Sequence, residues 1–321
     1  MQGYILRRIG EGFVTLIALS FVIFGSVQLT GDPARFLLPI TEAADEKVYQ
    51  AQREAMGLND PFIVQYWNFA RKAIYLDFGE SFTTRRPVKE ILLERLPATV
   101  HLALFGMVMA VVIGVPLGIL SAVKRDSIFD KITKGVAIFG MSAPQFWIAI
   151  MLIILLGGRL GWLPVFGRGD IEGWFPTFAQ IPDMILHLLL PSFVLALAII
   201  AALMRLGRSA MLEVLDTDYV KFAQVKGLHD RVVIWKHATR NALIPILTFG
   251  GIALAGLLNG SVIVEFIFAW PGVGLMLLEG ILSNNFPQVE GAIMVSGVAY
   301  IFTAMMVDIL YGYADPRVRI N

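Results

Sequence analysis

The chain contains no cysteine and little charge. Only 16% of its 321 residues are Asp, Glu, Lys or Arg, while 57% are hydrophobic, and a soluble domain carries about a quarter charged residues. Without cysteine the chain can form no disulfide, thiolate metal site or iron–sulfur cluster. A formal net charge of only +1 argues against nucleic acid as a partner. The composition therefore indicates a protein of the lipid bilayer.

Long stretches without charge predict six membrane-spanning helices. A hydrocarbon core about 30 Å thick requires roughly 20 apolar residues of helix. Such stretches lie near 12–31, 98–123, 135–158, 184–204, 241–264 and 291–307, and the last could reach Ala314 by including Asp308. Arg7 and Arg8 precede the first stretch as in a secretory signal, but the apolar run is too long and no A-x-A-like site follows it. We therefore expect it to be a retained span.

Lys and Arg residues orient these spans, because basic residues of short loops stay in the cytoplasm. They precede span one and cluster between spans two and three and between spans four and five, whereas none occurs from Asn241 to Pro316. Both termini are therefore predicted to be cytoplasmic and the loop 159–183 external. The long segment 31–97 is also predicted to be external, since long segments cross largely regardless of charge.

The chain is expected to divide into an N-terminal transmembrane helix (1–30), an external helical insertion (31–97) and a five-helix core (98–321). In the insertion, Thr41 could cap a helix running to Met56 with Gly57 as its stop. Asp60 followed by Pro61 fits the N-cap and first position of a second helix, which has one apolar face. That face could lie on the membrane, but we favour packing on the spans.

The segment 205–240 is hydrophilic despite its hydrophobic flanks. At about 3 kcal/mol per central charge, inserting the window 213–232 would cost on the order of 20 kcal/mol. Asp218 is a good N-cap for a short helix that Gly227 would end in the left-handed conformation, and Asp230 then caps a second helix rising toward Pro245. The segment is therefore predicted to contain two cytoplasmic helices with a glycine between them.

One face of the first short helix carries Tyr219, Phe222, Ala223 and Lys226. This face is a small apolar projection surrounded by charge, and its shape would fit a groove on another protein. The alternative, which the pattern alone leaves equally open, is an ordinary loop whose helices pack on the membrane ends of their own chain.

"DYVKFAQVKGL" followed by "HATRNALIP" resembles the cytoplasmic loop of binding-protein-dependent ABC importer permeases, in particular the dipeptide/oligopeptide/nickel permease family. The general pattern is E-A-A-x-x-x-G, a spacer, then I-x-L-P. Ala223, Gly227 and Pro245 match it outright, while Lys221 and Phe222 depart from it. The spacer is longer than in the general pattern, as is usual in the peptide branch.

The resemblance covers nearly the whole chain. The segments "LDFGESFTTRRPVKEILLERLPATVHLALFGMVMAVVIGVPLGILSA", "SAPQFWIAI", "GWLPVFG", "LMRLGRSAMLEVLDTDYV" and "VIVEFIFAWPGVGLMLLEGI" are similar to that branch and in its order. The resemblance implies an all-α membrane protein of six transmembrane helices whose last five form the importer core. It also implies a second, similar permease, two cytosolic ATPases and an external substrate-binding protein as partners. The location that it implies is a bacterial or archaeal plasma or inner membrane.

The resemblance implies an ATPase-coupling loop and an external gate, and polar residues within the apolar spans suggest further site residues. ATPase coupling would involve the loop around Gly227, with Asp218, Tyr219, Lys221, Phe222, Ala223, Lys226, Gly227 and Pro245. The segment starting at Glu265 would dip back into the outer half of the membrane as part of an external gate, or else be a plain connector. For the translocation path or gate we select Ser142, Gln145, Asn259, Ser261, Glu265 and Trp270, although polar groups of this kind can equally join helices.

Three hypotheses about activity can be compared from the sequence. ATP must be hydrolysed by another subunit, because G-x-x-x-x-G-K-[ST] is missing and the dipeptide Gly-Lys never occurs. A membrane enzyme is disfavoured, since Ser209 lacks the final Gly of G-x-S-x-G and no H-E-x-x-H is present. A stand-alone ion-coupled carrier is disfavoured, since only Asp308 offers a charge within the spans.

We therefore predict no catalytic residue, no metal site and no cofactor in this chain, with ATP and Mg²⁺ bound by the partner ATPases. The transported solute is not defined by the sequence, because an external binding protein would do most of the selecting. Peptides are the first expectation, and nickel chelates, glutathione-like molecules or another small solute are the alternatives.

Overall fold

The computed structural model describes residues 2–37, 45–171, 173–258 and 262–314. Within these ranges the regular elements are all helical, and one isolated antiparallel bridge joins Glu80 and Pro87. The α-helices are α1 (Gln2–Thr30), α2 (Pro33–Leu37), α3 (Glu46–Ala55), α4 (Phe62–Ala73), α5 (Val88–Met109), α6 (Val115–Val123), α7 (Ile128–Ser142), α8 (Gln145–Leu152), α9 (Ile181–Leu215), α10 (Asp218–Val225), α11 (Asp230–Val232), α12 (Thr239–Leu258), α13 (Val262–Ile267), α14 (Val273–Leu282) and α15 (Phe286–Ala314). Three π-helical stretches, Ala110–Gly114, Ile153–Arg159 and Val233–Ala238, continue α5, α8 and α11.

Among the described residues, five helical segments are long and apolar enough to cross a bilayer: Ile5–Leu29, Val88–Val123, Ile181–Leu215, Asp230–Leu258 and Phe286–Ile309. The helices α7 and α8 form a sixth span if α7, α8 and the π-helical continuation of α8 are counted as one bent span. The predicted all-α membrane fold is confirmed.

The third predicted span is not one straight helix. Its two halves, Ile128–Ser142 and Gln145–Arg159, meet at an angle of 107°. Ala143 has extended backbone angles (φ −72°, ψ 132°), because the residue before a proline is pushed out of the helical region. Pro144 thus turns the window 135–158 into a bent pair, and hydrophobicity alone did not reveal the bend.

The fourth and fifth spans also differ from their hydrophobic windows. The helix α9 continues to Leu215 rather than ending near 204, and the fifth helical segment starts at Asp230 rather than near 241. Charged residues exclude a segment from hydrocarbon but not from a helix, so hydrophobicity alone underestimates the length of these two helices. Val262–Ile267 forms the helix α13.

The predicted helices of the insertion are present with shifted starts. Asp45 caps α3, and its carboxylate accepts the Lys47 N–H at 3.0 Å, while Thr41 lies outside the described residues. Gly57 follows this helix with φ +69°, as expected for a stop. Pro61 occupies the N-cap position of α4, so Asp60 lies one residue too early to cap it.

The apolar face of α4 packs on the first span. Tyr66 hydrogen-bonds Ser20 at 2.9 Å, and the rings of Phe24 and Phe69 stack at 5.3 Å. Phe69 and Ala73 also contact the cluster around Phe78 and Val88. The favoured interpretation, packing on the spans, is confirmed.

The helix α9 is the centre of the bundle, and α5, α6, α7 and α12 all pack against it. One apolar cluster along it includes Ile119, Leu203 and Met211, and a second includes Leu102 and Leu188. The approach of α6 to α9 is close, because a Cβ at Gly118 would lie only 2.6 Å from the Met204 carbonyl oxygen. A side chain at this position would separate the two spans.

Candidate functional sites at the corner, the turn and the clamp

The first site is the corner, residues 217–232, which connects α9 to the fifth span. Thr217 precedes α10 with extended backbone angles, and its hydroxyl donates to the Val214 carbonyl at 2.5 Å. The amides of Val220 and Lys221 donate to the Thr217 carbonyl. Asp218 is therefore the first helical residue and not the N-cap that the sequence predicted.

Gly227 ends α10 in the left-handed conformation, with φ +76°, and this prediction is confirmed. Its N–H donates to the Gln224 carbonyl at 2.9 Å, and the Leu228 N–H donates to the Ala223 carbonyl at 3.4 Å. This pair of bonds is the Schellman arrangement, which requires positive φ at the glycine. The next helix is capped by His229, whose ring nitrogen accepts the Arg231 N–H at 3.3 Å, and not by Asp230.

One side of α10 is fixed to its own chain. Val220 and Ala223 are buried in the cluster that includes Met211, Val233 and Ala238. The Asn241 side chain donates to the Tyr219 hydroxyl at 2.6 Å. Ala223 therefore packs inward, which corrects its predicted place on the exposed face.

The other side of α10 presents apolar side chains to solvent. Phe222 is 60% exposed, Val225 84% and Tyr219 43%, and we call these three residues the knob. The Lys226 ammonium lies 4.7 Å from the centre of the Phe222 ring. Asp218 and Lys221 are also exposed, so charge surrounds the knob as predicted. Pro245 lies inside α12 and is not part of this surface.

The second site is the turn, residues 265–275, which connects α13 to α14. The Glu265 side chain is fully buried and accepts hydrogen bonds from the Leu275 N–H at 2.8 Å and from the Thr99 hydroxyl at 3.0 Å. Thr99 in turn accepts the Val273 N–H at 2.8 Å. A carboxylate at the start of α14 is favourable, because the first amides of a helix lack intrahelical acceptors.

Trp270 holds the same turn against α5. Its side chain is fully buried, and the indole N–H donates to the Ala98 carbonyl at 2.9 Å. Gly272 and Gly274 leave the space that the Glu265 carboxylate occupies, since a Cβ at either position would collide with it. Glu265 and Trp270 therefore fix the turn to α5 and do not line an open path in this conformation.

Of the four other predicted path residues, the two that the structure describes do not lie at the corner or the turn. Ser142 is exposed and Gln145 half-buried, on either side of the bend between α7 and α8. Asn259 and Ser261 lie outside the described residues. The path role of all four remains a prediction.

Sequence reasoning missed a third site, the clamp, formed by Ser121, Asp130, Lys134 and Arg208. The Asp130 carboxylate is fully buried and bonded twice to the Arg208 guanidinium, at 2.7 and 2.9 Å. It also accepts the Ser121 hydroxyl at 2.5 Å and pairs with the Lys134 ammonium at 2.9 Å. A buried ion pair needs this kind of complete satisfaction, because desolvation is costly.

The clamp joins three helices close to the corner. Ser121 belongs to α6, Asp130 to α7 and Arg208 to α9, and α9 leads into the corner within two turns. Asp130 also accepts the N–H of Asp126 at 3.0 Å. Asp126 lies in the short connection between α6 and α7 and has a φ of +60°. The clamp therefore ties this connection to the helix that carries the corner. The sequence could not predict this ion pair, because Asp130 and Arg208 are 78 residues apart.

Comparisons with known proteins match the chain over nearly its full length. The family model described as "Binding-protein-dependent transport system inner membrane component" matches residues 114–320. The model for the corresponding N-terminal region, "Binding-prot-dependent transport system membrane comp, N-term", matches residues 1–103.

Curated relatives are similar to this chain over both of these regions. The dipeptide transport system permease protein of Alkalihalophilus pseudofirmus is 36% identical over 99% of this chain and 100% of its own. The oligopeptide transport system permease protein of Bacillus subtilis is 37% identical over 99% of this chain and 100% of its own.

Among solved structures, an inward-facing form of the MetNI methionine ABC transporter matches with a TM-score of 0.52 and 15% identity, over 70% of this chain and 94% of that one. At this identity the likeness shows a common fold.

Proposed function

The chain belongs to the family of binding-protein-dependent transport system inner membrane components, and we propose that it forms half of the translocation pathway of an ATP-driven peptide importer. Peptide is the favoured solute because the full-length relatives are named for dipeptide and oligopeptide transport. The same machinery importing nickel chelates or another small solute is the alternative.

The observation that carries the coupling part of this proposal is the knob. Tyr219, Phe222 and Val225 are exposed on a helix whose opposite side, Val220 and Ala223, is buried in its own chain. An apolar side chain on a rigid, water-facing helix fits a groove of another protein. We assign that groove to a cytosolic ATPase, so that the corner transmits the force of ATP hydrolysis to α9 and α12.

The full assembly that we propose contains this chain, a second similar permease, two cytosolic ATPase subunits and an external substrate-binding protein. ATP and Mg²⁺ would be bound by the ATPases, since the sequence has no phosphate-binding loop. Both termini and the corner would lie in the cytoplasm, as the Lys and Arg distribution indicates.

Cysteine labelling tests this orientation without background, because the chain has no cysteine of its own. Single cysteines at Asp60, Asp170 and Ser283, all exposed, are expected to react with a membrane-impermeant maleimide applied from outside. Cysteines at Ile128 and Val225 should react only after the membrane is opened. Labelling of Val225→Cys from outside in intact cells would contradict the proposed coupling.

ATPase measurements test whether ATP is hydrolysed by the partner subunits and not by this chain. The purified chain alone is expected to show no ATP hydrolysis above a no-protein blank. The complex co-purified with its ATPase subunits should hydrolyse ATP, and the loaded binding protein should accelerate it. Nucleotide turnover by the isolated chain, after contaminating ATPases are excluded, would refute the proposal.

A further inference from the structure

Arg168 is a buried cation on the predicted external side of the molecule. It lies in the connection between Arg159, where the π-helical end of α8 stops, and Ile181, where α9 starts. Only 5% of its surface is exposed. Arginine stays charged even where burial lowers its pKa, as it does here.

The hydrogen-bond partners of Arg168 are neutral. Its Nη2 lies 2.7 Å from His101 Nδ1 and 2.9 Å from the Gly173 carbonyl oxygen. A guanidinium can only donate, so His101 accepts through an unprotonated Nδ1. The Nε atom of Arg168 is buried and has no hydrogen-bond partner.

A carboxylate that would compensate this charge is missing from the described part of the chain. Arg168 forms no ion pair there. Asp183 reaches the neighbouring Gly169 but pairs with His187 at 3.3 Å. Asp130, by contrast, has two cationic partners. Within the described residues the charge of Arg168 is therefore not compensated, and an unpaired buried charge is unfavourable.

The position of Arg168 suggests which molecule could compensate its charge. The neighbouring Gly167 N–H donates to the Phe268 carbonyl at 2.9 Å, which joins the loop to the turn. A protein docking on the outer surface could not reach a side chain this buried. A solute that enters when the turn moves away from α5 could reach it.

We propose that Arg168 binds the carboxylate of the transported solute when the external side opens. The free Nε–H and the planar guanidinium suit a carboxylate, which accepts strong charge-assisted hydrogen bonds. A peptide carries such a group at its C-terminus, so the proposal rests on the proposed function and adds a binding residue to it.

The test compares a dipeptide that has a free C-terminal carboxylate with its C-terminal amide. Liposomes contain the full complex, and each labelled dipeptide is supplied on the binding protein at equal measured occupancy. In Arg168→Gln the uptake rate of the acid is expected to fall about tenfold, as for loss of a hydrogen bond to a charged group, while that of the amide changes less than about twofold. Arg168→Lys, which keeps the charge but not the planar fork, should recover about a third or more of the acid uptake.

Two control variants separate this role from others. Arg159→Gln removes an exposed arginine from the start of the same connection and should leave the acid-to-amide ratio unchanged. Glu172 lies outside the described residues and is four positions from Arg168, so it could pair with Arg168 in another conformation. If Glu172→Gln reproduces the effect of Arg168→Gln, Arg168 serves an internal ion pair and the proposal is wrong.

The remaining outcomes are also decisive. Equal loss of acid and amide uptake in Arg168→Gln would show a purely structural role and overturn the proposal. An unchanged acid uptake in Arg168→Gln would overturn it as well. If the wild-type complex imports neither dipeptide, the proposed function fails for peptides, and this result is distinguishable from all the others.

Discussion

Gly227→Val is expected to reduce ATP-dependent uptake by the reconstituted complex at least about tenfold while leaving the chain in the membrane at near-normal abundance. Gly227 has φ +76°, where a residue with a Cβ is strained by about 1–2 kcal/mol. Space is not the cause, because a Cβ at this position would meet nothing within 4 Å. The strain is relieved by rotating α10, and the rotation moves the knob away from its groove.

Two controls isolate the backbone effect. Asparagine tolerates the left-handed conformation, so Gly227→Asn should retain most of the uptake. Gly161 has a similar φ of +62° and an equally open surrounding, but it lies on the predicted external side. Gly161→Val should therefore carry the same local strain without uncoupling the complex.

The readouts are uptake, stimulation of ATP hydrolysis by the loaded binding protein, and co-purification of the ATPase subunits. Loss of uptake and stimulation at normal abundance would support the role of the corner, whether docking is lost or misaligned. Wild-type uptake with full stimulation in Gly227→Val would show that the corner is only a connecting loop.

Asp130→Asn is expected to destabilise the folded chain by about 3 kcal/mol, because removing one partner of a buried ion pair leaves the other uncompensated. Arg208 would then keep its charge in a side chain only 20% exposed. The corresponding fall in melting temperature of the detergent-solubilised chain should be roughly 6 °C or more. Fluorescence-detected size-exclusion chromatography after heating measures it.

A double-mutant cycle separates the ion pair from other effects of the substitution. Asp130→Asn/Arg208→Gln removes both charges and should recover part of the lost stability, since no isolated charge remains. Lys134→Met removes a 42% exposed partner and should cost less than about 1 kcal/mol. Strictly additive effects of the two single substitutions would mean that the clamp does not act as a pair.

Helix ends that depend on neighbouring residues could be predicted from local signals in the sequence. Gly227 was predicted as the left-handed end of a helix because it follows a short amphipathic run, and the structure confirms it. The caps at Asp218 and Asp230 were each misplaced by one residue, because the neighbouring Thr217 and His229 occupy the N-cap positions. Helix ends depend on such small differences.

The sequence could not reveal contacts between distant segments. Glu265 stood out as an acidic residue in apolar surroundings, but its partner Thr99 is 166 residues away. The same holds for Asp130 with Arg208, and for Arg168 with His101. Hydrophobicity placed the spans, but it carried no information about the bend at Pro144 or about which face of α10 is buried.

The most direct test of the account is accumulation of a labelled dipeptide in liposomes that contain this chain, the second permease and the two ATPases, with the binding protein outside. We expect accumulation above the external concentration that requires ATP inside and stops when this chain is omitted. Accumulation that proceeds without ATP, or equally well without this chain, would contradict the assignment of the chain as half of an ATP-driven pathway.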